Sequence, residues 1–138
     1  MSNVMFVCIH NAGRSQMAAG IAKSLADSGV TVTSAGTRPD TVIHPSGVAV
    51  LAENGIDISA EKPKQLTKDS VAASDIVVIM GAGDISMDYP GAGAYLQWDV
   101  KGAPSGGSLA DWRIVRDEIE CKVRVLLDTM GELAHPVN

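Results

Sequence analysis

The sequence is poor in cysteine and in basic residues, and each shortage excludes a class of protein. Among 138 residues there are two cysteines, Cys8 and Cys121, so no network of disulfides holds the fold together. Lysine and arginine number 11 against 16 acidic residues, and the net charge of −5 gives no overall positive field for nucleic acid or an anionic membrane. No apolar run approaches the roughly 18 residues of a membrane-spanning helix.

The first ten residues, "MSNVMFVCIH", lack the basic start and the long apolar stretch of a signal peptide. We therefore expect a cytoplasmic protein with free thiols, which binds neither nucleic acid nor membrane. At 46% hydrophobic residues the chain is long enough for one domain, residues 1–138, with a core of its own.

Four apolar stretches predict strands: residues 4–7, a stretch from residue 30, residues 75–80 and residues 95–100. Between them, periodicity and capping residues predict helices from Arg14 to near Ser28, from Pro45 to just before Gly55, after Thr67, and from Leu109 onward. This alternation predicts an α/β fold with a parallel sheet covered on both faces. Ligands bind such sheets beyond the carboxyl ends of the strands, where Cys8 is expected.

The segment that joins the first strand to the first helix has the spacing C-x5-R, from Cys8 to Arg14. In so short a loop, successive backbone N–H groups converge and form a nest for an anion. Asn11 and Gly13 tolerate the left-handed backbone angles that such a curl needs. The guanidinium of Arg14 matches two oxygens of a tetrahedral oxyanion. The expected substrate-binding residues are Ile9, His10, Asn11, Ala12, Gly13 and Arg14.

The same loop favours the thiolate form of Cys8, because a helix N-terminus and an arginine stabilise negative charge on sulfur. Ser15 is placed to donate its hydroxyl hydrogen to that sulfur. A C-x5-R spacing alone more often indicates a buried core cysteine followed by a surface arginine. The preceding strand, the glycine-containing loop and the following helix favour a catalytic nucleophile instead. The lack of lysine after Gly13 excludes a Walker-type nucleotide loop.

The stretch "FVCIHNAGRSQMA" resembles the anion loop of the arsenate reductases that share the low-molecular-weight protein tyrosine phosphatase fold. "SAGT", "DIVVIMG" and "RIVRDEI" fall where that family has similar segments. The resemblance implies a three-layer αβα sandwich with a four-stranded parallel sheet. It also implies that Cys8 attacks arsenate, that Arg14 and the loop amides stabilise the oxyanion, and that Asn11 and Ser15 shape the loop and support the thiolate.

Details of the resemblance favour a reductase that uses an external thiol. Gln16 resembles the reductases, since the phosphatase branch usually has proline there and a later Asp-Pro pair followed by tyrosine. Thioredoxin-coupled reductases carry further cysteines in the loop after the third strand, where this chain has Ala82 and Met87. Resemblance to actinobacterial reductases implies mycothiol as the co-substrate, together with a mycoredoxin. Glutathione with a glutaredoxin is the second choice. We expect no bound cofactor, and a monomer or weak dimer.

Two carboxylates are candidates for the general acid. The family's aspartate aligns near Gly102 or Ala103, and Asp99 is the nearest carboxylate; it is our candidate acid, against the alternative of an ordinary loop carboxylate. Asp84, in the loop after the third strand, is the weaker alternative. We expect no metal site, since His44 and His135 have no companions at ligand spacing, and we expect Cys121 to be a packed, inert thiol on the last helix. Two other functions stay open: a phosphatase acting on phosphomonoesters, and a non-catalytic oxyanion sensor.

Overall fold

The computed structural model describes residues 2–101 and 107–131; Gly102, Ala103 and His135 lie outside these ranges. Four strands and four helices follow one another along the chain. They are β1 (Ser2–Cys8), α1 (Arg14–Leu25), β2 (Val30–Gly36), α2 (Pro45–Ala52), α3 (Lys68–Ala72), β3 (Ile76–Ile79), β4 (Ala94–Gln97) and α4 (Leu109–Met130). No helix within the described ranges combines the length and the hydropathy of a membrane-spanning segment.

All four strands are parallel, in the order β2-β1-β3-β4, which confirms the predicted α/β fold. From β1 the chain crosses to β2 on one side and later to β3 on the other, so strand order reverses between β1 and β3. Cys8 is the last residue of β1 and pairs with Gly36 at the end of β2. The predicted nucleophile therefore lies at the carboxyl edge of the sheet, beside the point where α/β folds open a crevice for ligands.

Each face of the sheet has its own apolar core, because side chains along a strand alternate between faces. Val4 and Phe6 face the cluster that includes residues of α1, α2 and α4, among them Met17, Leu51 and Ile119. Met5 and Val7 face a smaller cluster with α3 and the segment that follows β3; its buried members include Leu66, Val71 and Ile85. Helices or packed loop thus cover both faces, and the three-layer prediction is confirmed.

Several element ends differ from the sequence-based expectation by one to three residues, and the ends of α1 and β4 differ most. Helix α1 ends at Leu25 and not near Ser28, because the carboxylate of Asp27 accepts a hydrogen bond from the N–H of Gly29 at 2.8 Å and closes a turn before β2. Strand β4 ends at Gln97 and not at residue 100, because it pairs only with the four residues of β3. The chain then leaves the sheet, and the carbonyl of Val100 turns toward Arg14.

Candidate active site

The loop between β1 and α1 is held open by a neighbouring segment, residues 37–44. Four loop carbonyls accept hydrogen bonds from four backbone N–H groups of that segment. The pairs are Cys8 with Thr37 at 3.3 Å, Ile9 with Arg38 at 2.8 Å, His10 with Asp40 at 2.9 Å and Ala12 with His44 at 2.7 Å. The carbonyl oxygens of the loop therefore point outward, toward residues 37–44.

The direction of these carbonyls fixes the direction of the loop amides. In a trans peptide the C=O of one residue and the N–H of the next point opposite ways, and the described chain has no cis bond. The N–H groups of residues 9, 10, 11 and 13 consequently point to the interior of the loop. The N–H of Asn11 shows this directly, since it lies 3.3 Å from Cys8 Sγ. Inward amides of this kind have the geometry of an anion nest, and anion binding at this loop stays a prediction.

Cys8 is buried, and its sulfur lies within hydrogen-bond distance of two polar groups. Its Sγ lies 2.9 Å from Ser15 Oγ, in addition to the contact with the Asn11 N–H. Asn11 Nδ2 donates to Ser15 Oγ at 2.7 Å, so the hydroxyl has an acceptor role toward Asn11 and keeps its own hydrogen for the sulfur. Helix α1 begins at Arg14 with no side-chain cap and no acidic residue in its first turn, which leaves its positive end open toward the same space.

The structure brings together Cys8, Asn11 and Ser15 as predicted. The expectation of left-handed backbone angles at Asn11 and Gly13 is met at Asn11 and not at Gly13. Asn11 has a φ of 49°, in the left-handed region. Gly13 has a φ of −129°, so the expectation of a left-handed angle there is wrong. Its ψ of −94° still lies outside the regions that residues with a side chain favour, and a Cβ on Gly13 would make a tight contact of 3.3 Å with the ring of Trp112.

Arg14 is fixed between two backbone elements at the mouth of the loop. Its Nη1 donates to the carbonyl of Val100 at 2.9 Å. A Cβ on Gly81 would lie 2.8 Å from Nη2, 2.9 Å from Nη1 and 3.2 Å from Cζ, so the edge of the guanidinium that carries both Nη atoms packs closely against that glycine. Among the described residues, only the Val100 carbonyl accepts a hydrogen bond from this guanidinium, so its other N–H donors are available to an oxyanion.

The remaining predicted residues line the mouth at different depths. Ile9, Ala12 and Gly13 are half-buried, whereas His10 is exposed, with its Nδ1 3.2 Å from the carbonyl of Arg38. Asp99 is exposed and immediately precedes Val100, whose carbonyl binds Arg14. Its backbone therefore lies beside the arginine, which keeps it as the candidate acid. Within the described ranges no three His, Cys, Asp or Glu side chains are grouped to hold a metal ion.

Cys121 is exposed, so the expectation of a packed thiol is wrong. It lies two positions from the buried Ile119 and Val123, and two positions are a turn of about 200° around a helix. It shares its face instead with the exposed Ile114 and Val125. Trp112 is the residue of α4 whose ring packs beside Gly13 of the loop. Cys121 is nine residues farther along the helix, which is roughly 14 Å along the axis from Trp112.

Sequence reasoning missed several residues that build the site. Gly36 and Gly81 leave room for the Asn11 backbone and for the Arg14 guanidinium, respectively, and two glycines carry no sequence signal of such a role. The carbonyl of Val100 and the amides of residues 37–44 are backbone groups, which no residue type reveals. Gln16 was noted in the sequence only for its resemblance to the reductases, and its place in the site was missed: it is 2% exposed and hydrogen-bonds Asn11.

Residues 3–135 match the family model described as low molecular weight phosphotyrosine protein phosphatase. The chain belongs to this family. Within the family, the glutaredoxin arsenate reductase of Synechocystis sp. is 34% identical over 129 residues, which cover 92% of this chain and 97% of that protein.

Two solved structures show how widely this phosphatase fold is used. The thioredoxin-dependent arsenate reductase of Corynebacterium glutamicum is 39% identical, with a TM-score of 0.81 over 95% of this chain. Our chain spans only 62% of that protein's chain. The YwlE arginine phosphatase from Geobacillus stearothermophilus is 28% identical, with a TM-score of 0.83 over 95% of this chain and 94% of that one. Reductases and a phosphatase therefore share the fold of this protein.

Proposed function

We propose that this protein reduces arsenate to arsenite, with Cys8 as the nucleophile. The observation that carries the proposal is the buried sulfur, 2.9 Å from Ser15 Oγ and 3.3 Å from the Asn11 N–H, inside a loop whose amides point inward. A thiolate in that position lies under the central atom of any tetrahedral oxyanion that the amides and Arg14 hold. The reductase names of the Synechocystis and Corynebacterium relatives support arsenate as that oxyanion.

The proposed reaction has two bond exchanges. The Cys8 thiolate attacks arsenic, an S–As bond forms, and one oxygen leaves as water after protonation, for which Asp99 is the candidate acid. A second thiol then attacks the Cys8 sulfur. An S–S bond forms, the S–As bond breaks, and its electron pair passes to arsenic, which leaves as arsenite. A further thiol reduces the mixed disulfide and restores Cys8.

The second thiol comes from outside the chain in this proposal. Cys121 is the other cysteine, and its place roughly 14 Å along α4 is too far for a disulfide, which needs Cα atoms within about 7 Å. Residues 81–93, between β3 and β4, contain no cysteine.

Mycothiol with a mycoredoxin is our first choice of donor, and glutathione with a glutaredoxin is the second. The glutaredoxin in the Synechocystis relative's name supports a redoxin partner, and the thioredoxin dependence of the Corynebacterium protein makes thioredoxin a third arm of the test. Two free thiols also support a reducing compartment, the cytoplasm, as the place of the reaction.

A phosphatase is the second candidate function, because the same thiolate and loop would attack phosphorus and the arginine phosphatase shares the fold. Gln16 and the lack of an Asp-Pro-Tyr sequence support the reductase, since the phosphatase branch usually differs there. A non-catalytic sensor would need the amides and Arg14 but not the sulfur.

One set of assays separates these functions. The purified protein is given arsenate with each thiol system in turn, and arsenite release is measured beside turnover of p-nitrophenyl phosphate and direct arsenate binding. We expect arsenite release with at least one thiol system, and a mass spectrum that shows the donor attached to Cys8. Fast phosphate ester turnover without arsenite release would favour the phosphatase, and binding without any turnover would favour the sensor.

A further inference from the structure

Three buried side chains and two backbone groups form a chain of hydrogen bonds that begins at Cys8. Ser15 and Asn11 are fully buried and Gln16 is 2% exposed. Gln16 Nε2 donates to Asn11 Oδ1 at 3.0 Å and to the carbonyl of Lys62 at 3.1 Å. The N–H of Lys64 donates to the same Asn11 Oδ1 at 2.9 Å. The sulfur is thus connected through three polar side chains to the segment between α2 and α3.

Two backbone groups, the Lys62 carbonyl and the Lys64 N–H, fix the donor and the acceptor in each hydrogen bond between Gln16 and Ser15. A carbonyl only accepts, so the Lys62 carbonyl requires the NH₂ end of Gln16. A backbone N–H only donates, so Lys64 requires the oxygen end of Asn11. Gln16 adds a second donor to that same oxygen. The NH₂ end of Asn11 is then left to face Ser15.

The consequence reaches the sulfur. Because Ser15 Oγ accepts from Asn11 at 2.7 Å, its single hydrogen is free for the 2.9 Å contact with Cys8 Sγ. A thiolate can only accept a hydrogen bond, so this orientation stabilises the ionised sulfur. If the amide of Asn11 turned over, its oxygen would take the hydroxyl hydrogen, and the sulfur would lose a donor.

We infer that Gln16 is a positioning residue for Cys8: it holds the Asn11 amide in the one orientation that directs the Ser15 hydroxyl hydrogen to the sulfur. Gln16 acts through Asn11 and touches neither the sulfur nor the inward amides of residues 9 and 10. Pro63 lies between the two anchoring residues and has a fixed φ, which keeps the Lys62 carbonyl and the Lys64 N–H in their relative places. The inference depends on the proposed function only for its catalytic consequence.

The test measures Cys8 itself and not turnover. Gln16→Met keeps the length of the side chain but removes the amide, and Gln16→Glu places acceptor oxygens against the Lys62 carbonyl and Asn11 Oδ1. Gln65→Met is the matched control, since that amide donates only to the backbone carbonyls of Gly36, Thr37 and Leu66 among the described residues. The rate of iodoacetamide alkylation of the Cys8 peptide is followed by mass spectrometry against pH, without arsenate.

We expect Gln16→Met to lower the thiolate fraction of Cys8 near neutral pH about three- to tenfold, which moves the alkylation midpoint up by roughly half to one pH unit. Gln16→Glu shifts it further in the same direction, and Gln65→Met leaves it in place. Direct arsenate affinity changes less than about twofold in Gln16→Met, because the hydrogen bonds of the loop carbonyls to residues 37–44 remain.

An unshifted midpoint in both Gln16 variants overturns the inference, as does an equal shift in Gln65→Met. A smaller shift in Gln16→Glu than in Gln16→Met overturns the role of amide orientation. Thermal unfolding of each variant is measured alongside; if one variant does not fold, the other decides. Because alkylation needs no arsenate turnover, a protein that fails to reduce arsenate still reports on Gln16.

Discussion

Cys8 and Cys121 are the same residue type in opposite surroundings. Cys8 is 3% exposed and lies among donors at the positive end of α1, while Cys121 is exposed midway along α4. Exposure alone would predict Cys121 as the reactive thiol. The hydrogen-bond donors favour Cys8, because N–H and O–H groups and an arginine stabilise the charge of a thiolate. The proposed role of Cys8 therefore depends on the hydrogen-bond environment of the sulfur more than on its access to solvent.

The largest expected effect comes from replacing each of the two cysteines in turn with serine. Cys8→Ser replaces the nucleophile with a hydroxyl, and we expect arsenite release to fall by at least about a thousandfold. Cys121→Ser changes an exposed helix position and should leave the rate within about twofold. Arsenite is quantified with the donor that serves the wild-type protein. Full loss of activity in Cys121→Ser would show that this thiol takes part in the reaction, and the comparison would fail.

The next effect tests whether the surroundings of Cys8 matter as much as the sulfur. Gly81 and Gly83 both have a positive φ, 81° and 75°, but a Cβ on Gly81 would meet Arg14 Nη2 at 2.8 Å, whereas one on Gly83 meets nothing within 4 Å. Gly81→Ala should displace the guanidinium and lower kcat/KM about ten- to hundredfold. Gly83→Ala carries the same backbone strain of about 1–2 kcal/mol without the clash, and so serves as its control.

Equal kinetic losses in the two glycine variants would contradict this role of Gly81. Urea unfolding of both proteins separates the shared cost in stability from the specific cost in activity. Arsenate binding by Gly81→Ala should weaken together with kcat/KM, because Arg14 is the group that moves.

Much of the anion loop could be predicted because its chemistry is carried by residue types. Cys8, Asn11, Arg14 and Ser15 stand at fixed spacing, and strand and helix periodicity placed them at the carboxyl edge of the sheet. Other parts of the site depend on backbone groups or on the absence of a side chain. The Val100 carbonyl accepts a hydrogen bond from Arg14, and Gly81 leaves room for the guanidinium. These arise from contacts between segments far apart in the chain, which local patterns do not contain. The exposure of Cys121 was readable from its 200° offset to Ile119 and Val123.

A smaller effect concerns proton transfer near Cys8. Asp99 lies beside the carbonyl that anchors Arg14, and Asp99→Asn keeps the size of the side chain but removes the acid. If Asp99 protonates the leaving oxygen, kcat falls by up to about a hundredfold and the alkaline limb of the pH–rate profile changes. Asp88→Asn, which changes an exposed carboxylate in the segment after β3, is the control. An unchanged profile in Asp99→Asn would remove it from the mechanism.

The smallest effect lies on α4, the helix that carries Cys121, where it contacts α2. Glu53, at the end of α2, accepts hydrogen bonds from Arg113 at 2.7 Å and from Arg116 at 2.8 Å, and so connects α2 to α4. The hydrogen bonds of Arg113 and then Arg116 lower the pKa of Glu53 from its usual 4.5 to about 2. Since the folded pKa is the lower one, the ion pairs stabilise the fold fully above about pH 4.5, and this contribution is lost as the pH falls toward 2.

Glu53→Gln should therefore lower the urea midpoint slightly at neutral pH, with a difference from the wild-type protein that shrinks between pH 4.5 and 2. Glu118→Gln, which removes an exposed carboxylate from α4, controls for net charge. Alkylation of Cys8 should be unaffected in both variants, because the loop is anchored by residues 37–44 and not by the ion pairs of α4. A changed Cys8 reactivity in Glu53→Gln would mean that α4 positions the loop, and the two cysteine environments would then be coupled.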